Sequence, residues 1–254
     1  RPMRDIDLLV RPEAARQAQS LLGDLGYDAP VPAPEATLPA KHLAVARRQV
    51  EGMTVSVEIH HNLYTEGTAA TALEALWPAA ISFAVDDVTA HTLGYEAQLS
   101  HLYQHLRIAS LHDHLRLIWI ADLVGVAARF AAEIDWVAVN RNHSHLLPAL
   151  TACHWLTPLP DPLLNSVQLP LGVRPKGVGL NFQGWPQTPV AAQRGKGWGR
   201  ILADTFFPSA WWLSFYYGLT PGQTLWWGRW IRHPAHILGW VWHYLQTKKS
   251  IYTN

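Results

Sequence analysis

In two short segments, polar side chains that include acids alternate with apolar ones. Asp5 and Asp7 alternate with aliphatic residues in the first segment, and Glu58 does so in the second, with His60 two positions further on. Successive side chains of a β-strand point to opposite faces of the sheet. We therefore interpret both segments as strands and expect the three carboxylates to converge if these strands are neighbours in one sheet.

The chemistry that such a cluster favours is metal binding. Carboxylates held close together repel one another unless a cation lies between them. Mg²⁺ is typically bound through one or two carboxylates together with substrate phosphates. A single Asp-x-Asp pair is more often an exposed part of a strand, but a third acid on a second alternating strand makes the joint pattern more specific. The sequence predicts a site for Mg²⁺ or Mn²⁺ built from Asp5, Asp7 and Glu58.

A weaker metal-site pattern lies in a predicted helix. His101 and His105 are one turn apart, and residues 112–114 read His-Asp-His. Histidines that flank an apolar helical stripe usually pack and form hydrogen bonds, so we favour a structural role over a second metal site. Asp122 interrupts another apolar helical segment, and we expect it to pair with a histidine, an arginine or a helix N-terminus.

The secondary-structure pattern places the acidic strands in a small sheet. Pro12 begins a helix between the two strands and Gly26 ends it, and Glu51-Gly52 is a hairpin turn signal. The predicted strands are 5–10, 42–48, 53–60 and 81–85, and the predicted helices are 12–25, 69–77, 95–107, 111–130 and one from Trp136. The fold is therefore predicted to be α+β, with a small mixed β-sheet and a crossover helix followed by a mostly helical region.

Charge divides the 254 residues into regions of different composition. Residues 170–254 contain nine basic side chains and one acid, whereas the remainder contains 11 basic and 18 acidic residues. Nine of the 13 tryptophans lie after residue 180. We predict a core at 1–90 that carries the acidic strands, a helical region at 91–168, and a basic, tryptophan-rich helical region at 169–254.

The composition of the whole chain excludes several classes of protein. Its 20 basic and 19 acidic residues give no strong nucleic-acid signal. A single cysteine, Cys153, excludes an intramolecular disulfide framework and suits a reducing compartment, so we expect a cytoplasmic location. No apolar run in the sequence reaches the length of a membrane span.

Three interpretations of the aromatic segment 198–249 stay open. Its tryptophans and basic residues suit a membrane surface, which would make the protein membrane-associated, or an anionic acceptor. We favour the third interpretation, in which the large aromatic side chains fill a helical core or an oligomer interface. Pro234 interrupts the helical pattern, which argues against a continuous amphipathic membrane anchor.

The two acidic segments resemble a known family. Residues 1–10, Arg-Pro-Met-Arg-Asp-Ile-Asp-Leu-Leu-Val, resemble the Arg-x-x-x-Asp-Ile-Asp-Leu-Leu-Val signature of the uncharacterised bacterial nucleotidyltransferases, which belong to the polymerase-beta-type nucleotidyltransferase superfamily. Residues 57–60, Val-Glu-Ile-His, resemble the Val-Glu-Leu-His strand of the same family. Further similarity is present in residues 99–105, 117–123, 134–136 and 207–209.

This resemblance implies an enzyme that transfers a nucleoside monophosphate from an NTP to an unknown acceptor (a small molecule, glycan, peptide or protein) and releases pyrophosphate. Asp5 and Asp7 would bind the metal that holds the triphosphate. Glu58 would help to hold a second metal, which lowers the pKa of the attacking hydroxyl. Weaker assignments to phosphate or nucleotide contacts fall on Arg1, Arg4 and His60.

Two features depart from the pattern of the family. The superfamily places a Gly-Gly or Gly-Ser turn upstream of the paired aspartates, and the sequence has no such element before Arg1. Either the chain lacks this element, which would weaken triphosphate binding, or it is a fragment and the activity belongs to the longer protein. His61 stands where the family usually has Trp. The alternative function is a non-catalytic interaction protein of the same fold, which binds an anionic partner or a membrane surface through its basic aromatic tail.

Overall fold

The computed structural model describes residues 5–39, 41–63, 73–112, 116–179, 182–185, 190–219 and 225–252. The chain divides into two compact units, an N-terminal unit of residues 1–94 and a helical unit of residues 95–254. The fold class is α+β, as the sequence predicts, with both small sheets in the N-terminal unit. The three-region division at residues 90 and 168 stays a prediction.

A three-stranded mixed sheet organises the N-terminal unit. Its strands are β1 (Asp5–Leu9), β2 (Ala46–Val50) and β3 (Met53–His60), in the order β1-β3-β2. β3 pairs with β1 in parallel and with β2 in antiparallel orientation. Parallel neighbours need a crossover connection, and here it contains a short 3-10 turn (Pro12–Ala14) and helix α1 (Ala15–Asp24).

Local backbone signals explain where these elements end. The β2–β3 hairpin turns at Glu51 and Gly52, which have φ values of 49° and 80°. Positive φ at both central residues is the conformation of the turn that best suits the twist of a two-residue hairpin. Gly26, which follows α1, has φ 83°, the left-handed conformation in which helices commonly end. Both turn predictions are confirmed.

Helix α1 covers only part of the sheet. It packs against β3 and β2, and the core below it contains Ala15, Leu22, Val57 and Ile59. The aliphatic residues of β1 lie on the same face, because Ile6 pairs with Val57 and Leu8 with Ile59, yet they remain 41% and 43% exposed. The exposure follows from the position of α1 over the other two strands.

A second, two-stranded sheet follows in the same unit. It consists of β4 (Ile81–Val85) and β5 (Val88–Thr92), joined by a turn in which Asp86 has φ 52°. The sequence predicts β4 but not β5, whose threonines and histidine give no clear alternation. Of the predicted helix at 69–77, the described part contains α2 (Leu73–Leu76) and a 3-10 turn (Trp77–Ala79), while residues 64–72 lie outside the described residues.

The helical unit contains the remaining helices. These are α3 (Tyr95–His112), α4 (Leu117–Arg129), α5 (Trp136–Asn142), α6 (Leu146–Leu156), α7 (Asp161–Ser166), α8 (Trp198–Phe206), α9 (Ala210–Tyr217), α10 (Leu225–Trp227) and α11 (His233–Tyr252). A π-helical turn (Gly228–Arg232) joins α10 to α11. Within the described residues, no helix is both long enough and apolar enough to cross a membrane.

The core of this unit is built around α6 and α9. The α9 residues Trp211 and Trp212 are fully buried, and Trp211 donates a hydrogen bond from Nε1 to the Ala152 carbonyl at 2.8 Å. The Tyr103 hydroxyl donates to the Phe215 carbonyl at 2.7 Å, which ties α3 to α9. Two motifs of the family resemblance have capping roles, since Asp135 and Ser209 accept backbone hydrogen bonds at the N-termini of α5 and α9.

Candidate metal centre

The register of two parallel strands places the acidic residues on one face. Asp7 of β1 lies directly opposite Glu58 of β3, and Leu9 lies opposite His60. Because side chains alternate along each strand, Asp7, Glu58 and His60 share a face, and Val57 and Ile59 occupy the other face below α1. The apolar residues therefore anchor β3 in the core while its polar residues point to the opposite side.

Three ligand-type side chains meet at this face. The Nε2 atom of His60 lies 3.3 Å from Oδ1 of Asp7 and 3.3 Å from Oε2 of Glu58. Each of the three residues offers one ligand atom, and these atoms all lie within 4.8 Å of one another. His60 is buried, Glu58 is half-buried and Asp7 is exposed, so the cluster is closed at the histidine and open at the aspartate.

The imidazole of His60 gives the clearest indication that the cluster binds a ligand. Its Nε2 atom is buried and forms no hydrogen bond to any described residue, although two carboxylates lie nearby. A buried polar atom without a hydrogen bond is costly, and in a native structure it calls for a ligand, an ion or an ordered water. Two carboxylates and an imidazole nitrogen form a donor set that proteins use for divalent metal ions. The residues present therefore fit a metal ion.

His42 lies at the edge of the same cluster. Its ring centroid is 5.0 Å from that of His60, and its Nδ1 atom is 3.8 Å from Oε2 of Glu58. The same Nδ1 atom lies 2.8 Å from the Leu43 carbonyl, which only accepts hydrogen bonds, so Nδ1 carries the proton. The sequence predicts a strand at 42–48 and no site role for His42, whereas β2 begins only at Ala46 and His42 lies before it. An isolated bridge between His42 and His60 brings His42 to the cluster.

The other predicted site residues have different positions. Asp5 shares the face of Asp7, is exposed, and lies opposite Ser56, but it is not a member of the close group. The structure thus brings together two of the three predicted acids and His60, and leaves Asp5 at the outer end of the same strand face. Arg1 and Arg4 lie outside the described residues.

The two histidines of the weaker metal-site pattern on α3 pack against each other. The rings of His101 and His105 contact each other edge to face, with centroids 4.6 Å apart. Among the described residues, Asp7, Glu58 and His60 are the one group of three that could hold a metal ion. Residues 113–115 lie outside the described part of the chain, and Asp122 of α4 is half-buried.

The chain that forms this α+β fold and the acidic face that fits a metal ion was compared with known protein families. The profile of a family described as uncharacterised nucleotidyltransferase matches residues 1–156, more than half of the chain. The chain therefore belongs to this nucleotidyltransferase family. The matched segment includes the acidic face, whereas the resemblance at 207–209 lies beyond it. No match was found among curated proteins or among solved structures.

Proposed function

We propose that the protein is a metal-dependent nucleotidyltransferase that moves a nucleoside monophosphate from an NTP to an acceptor hydroxyl or phosphate. The observation that carries the proposal is the meeting of Asp7 and Glu58 around the buried Nε2 atom of His60, which forms no hydrogen bond to any described residue, within the family-matched segment. In the reaction, an acceptor oxygen would form a bond to the α-phosphorus while the bond to the pyrophosphate oxygen breaks. The proton of the acceptor passes to solvent, and the acceptor itself is not identified.

Each residue of the cluster has a role that follows from its burial. Glu58 and His60, which are held on β3 above the Val57–Ile59 core, would supply the fixed ligands. Asp7 is the solvent-facing ligand, and phosphate oxygens of the substrate would approach from its side. When bound, the metal would neutralise phosphate charge and acidify the attacking hydroxyl.

Asp5 and the N-terminal arginines would act further along the same face. Asp5 is two residues before Asp7, and its exposed carboxylate would contact the same metal–triphosphate unit from the outer side. We assign Arg1 and Arg4 to the phosphates, because guanidinium groups bind phosphate oxygens through paired hydrogen bonds.

The nitrogen ligand bears on the choice of metal. Mg²⁺ prefers oxygen ligands throughout, whereas imidazole nitrogen raises the relative affinity of first-row transition metals. Of the two metals predicted for the site, Mn²⁺ is therefore expected to bind more tightly than Mg²⁺. His42, whose ring packs against that of His60 at a tilted angle of 41°, would hold the imidazole in position.

The direct test is turnover of labelled NTPs with Mg²⁺ or Mn²⁺ by the full chain and by Asp7→Asn and Glu58→Gln. Each substitution keeps the shape of the side chain but removes a charged ligand, so we expect turnover to fall by at least about a hundredfold. Asp24→Asn is the matched control, because Asp24 is an exposed acid of the same unit outside the cluster. Thermal unfolding of each variant shows whether it is folded.

Two outcomes would decide against this assignment. Turnover that survives Asp7→Asn and Glu58→Gln would show that these carboxylates do not bind the reacting metal. NTP binding without turnover by the intact full-length protein would favour the alternative function, a non-catalytic interaction protein that keeps the fold.

A further inference from the structure

The helical unit exposes an unusual number of large apolar side chains on its C-terminal elements. The tryptophans that belong to this set are each between 50% and 75% exposed. We call the set the aromatic surface, and its members are Trp198, Leu202, Phe207, Trp226, Trp227, Trp230, Leu238, Trp242 and Leu245. Large contiguous apolar patches on a protein usually mark an interaction site.

Several of these side chains border one apolar depression. Helix α8 and the π-helical turn border an apolar depression of about 520 Å³, which Leu202, Phe207 and Trp230 line. The rings of Phe207 and Trp230 contact each other edge to face at 5.2 Å. Trp198 lies one turn before Leu202 on α8, which extends the surface in one direction.

Helix α11 extends the same surface in the other direction. Pro234 lines the depression, and Leu238 and Trp242 follow it at intervals of four residues, so the three lie along one face of the helix. The π-helical turn ends at Arg232 and α11 begins at His233, so Pro234, which cannot donate a backbone hydrogen bond, lies in the first turn of α11. The helix therefore changes type just before Pro234 instead of ending there, and an apolar stripe is left on α11.

The sequence segment that carries the aromatic surface has an excess of basic residues. The last acidic residue of the chain is Asp204, and it pairs with Lys196 at 3.2 Å and with Arg200 at 2.9 Å. After it, the sequence contains Arg229, Arg232 and two lysines but no acid. Arg229 lines the depression itself. Two copies of the chain that paired through this face would bring positive surfaces together, which like charges oppose.

We propose that the aromatic surface binds to the surface of a bilayer that contains anionic lipids. Tryptophan combines a large apolar ring with one N–H donor, and it is enriched where hydrocarbon meets headgroups. Leucine and phenylalanine side chains of the same surface would enter the acyl boundary, while Arg229 at the depression would contact lipid phosphates. This binding is separate from nucleotidyl transfer and does not depend on it.

Sedimentation of the full chain with vesicles tests the proposal. Vesicles made of equal parts phosphatidylcholine and phosphatidylglycerol should bind the protein, and vesicles of phosphatidylcholine alone should bind it at least about tenfold more weakly. Binding should also weaken as the salt concentration rises. The combined variant Trp198→Ser, Trp226→Ser and Trp242→Ser should lose at least about tenfold in partition coefficient. These side chains are exposed, so the variant is expected to fold.

Trp77→Ser is the matched control, because Trp77 is 54% exposed but belongs to the N-terminal unit. Its binding to anionic vesicles should equal that of the unchanged chain. Three results would overturn the proposal: no sedimentation with anionic vesicles, equal binding of the triple variant, or a concentration-dependent dimer that the triple variant abolishes without any vesicle binding. The last result would assign the surface to a second copy of the chain.

Discussion

Each of the two units contains a buried histidine, and the two side chains differ in how their nitrogens are satisfied. His233 of the helical unit accepts from the Tyr217 hydroxyl at Nδ1 (2.9 Å) and donates from Nε2 to the Thr205 carbonyl (2.7 Å). His60 of the N-terminal unit has a buried Nε2 without a hydrogen bond to any described residue and with two carboxylates nearby. The first histidine completes a packing arrangement, and the second has the environment of a ligand.

The two units also differ in the balance of acidic and basic residues. Residues 1–94 contain seven basic and 12 acidic side chains, whereas residues 95–254 contain 13 basic and seven acidic ones. The excess of acids in the N-terminal unit accompanies a site that fits a cation. The excess of bases in the helical unit accompanies an exposed aromatic surface. The near-neutral total conceals both features, so charge is informative here only when it is counted by region.

The contrast between buried and exposed tryptophans in the helical unit predicts the largest effect on stability. Trp211 is fully buried, stacks on Phe215 at 5.3 Å and donates to Ala152, so Trp211→Ala should lower the free energy of unfolding by about 3–5 kcal/mol. Trp242→Ala should change it by less than about 0.5 kcal/mol, because Trp242 is mostly exposed. Chemical denaturation measures both values. A large loss for Trp242→Ala would mean that this side chain belongs to the core.

The buried histidine of the helical unit predicts a pH effect. Burial lowers the pKa of His233 from 6.5 to about 4, so the unfolded chain takes up the proton first as the pH falls. Its contribution to stability is present above pH 6.5 and is lost as the pH falls to about 4, by up to about 3 kcal/mol. His145, whose pKa burial also lowers to about 4, acts in the same direction.

The variant His233→Gln should therefore show a smaller loss of stability between about pH 7 and pH 4 than the unchanged chain. Denaturation curves at several pH values measure this difference. His91→Gln, which removes an exposed histidine of the N-terminal unit, is the control and should keep the full pH dependence. The same pH dependence in His233→Gln and the unchanged chain would contradict the assigned role of His233.

Which residues share a face of one strand could be predicted from the sequence, because alternation is a local signal. It placed Asp5 with Asp7 on β1 and Glu58 with His60 on β3. The sequence alone leaves open whether β1 and β3 are neighbours in one sheet. The structure shows that they are, because the two strands pair in parallel. The contact of His42 with the cluster was not predictable, because the predicted strand 42–48 begins only at Ala46 and an isolated bridge between distant segments places His42 beside His60.

The parts that the sequence analysis missed depend on tertiary packing. The exposure of Ile6 and Leu8 follows from where α1 lies over the sheet, and the pattern of β1 does not contain that information. The tryptophans of residues 198–242 lie in one segment but in two different environments. Trp211 and Trp212 fill the core, and others form the aromatic surface. For that reason composition alone could not decide between a membrane surface, an anionic acceptor, and a helical core or oligomer interface.

The most direct test of the central claim is Mn²⁺ binding followed by electron paramagnetic resonance, with Mg²⁺ as competitor. The account predicts one bound Mn²⁺ with nitrogen coupling from His60, which resists an excess of Mg²⁺. Asp7→Asn and Glu58→Gln should weaken binding by about 10–100-fold, and His60→Gln should remove the nitrogen coupling and the preference for Mn²⁺. Mn²⁺ affinity that is unchanged by all three substitutions, or the absence of bound Mn²⁺ in the full chain, would contradict it.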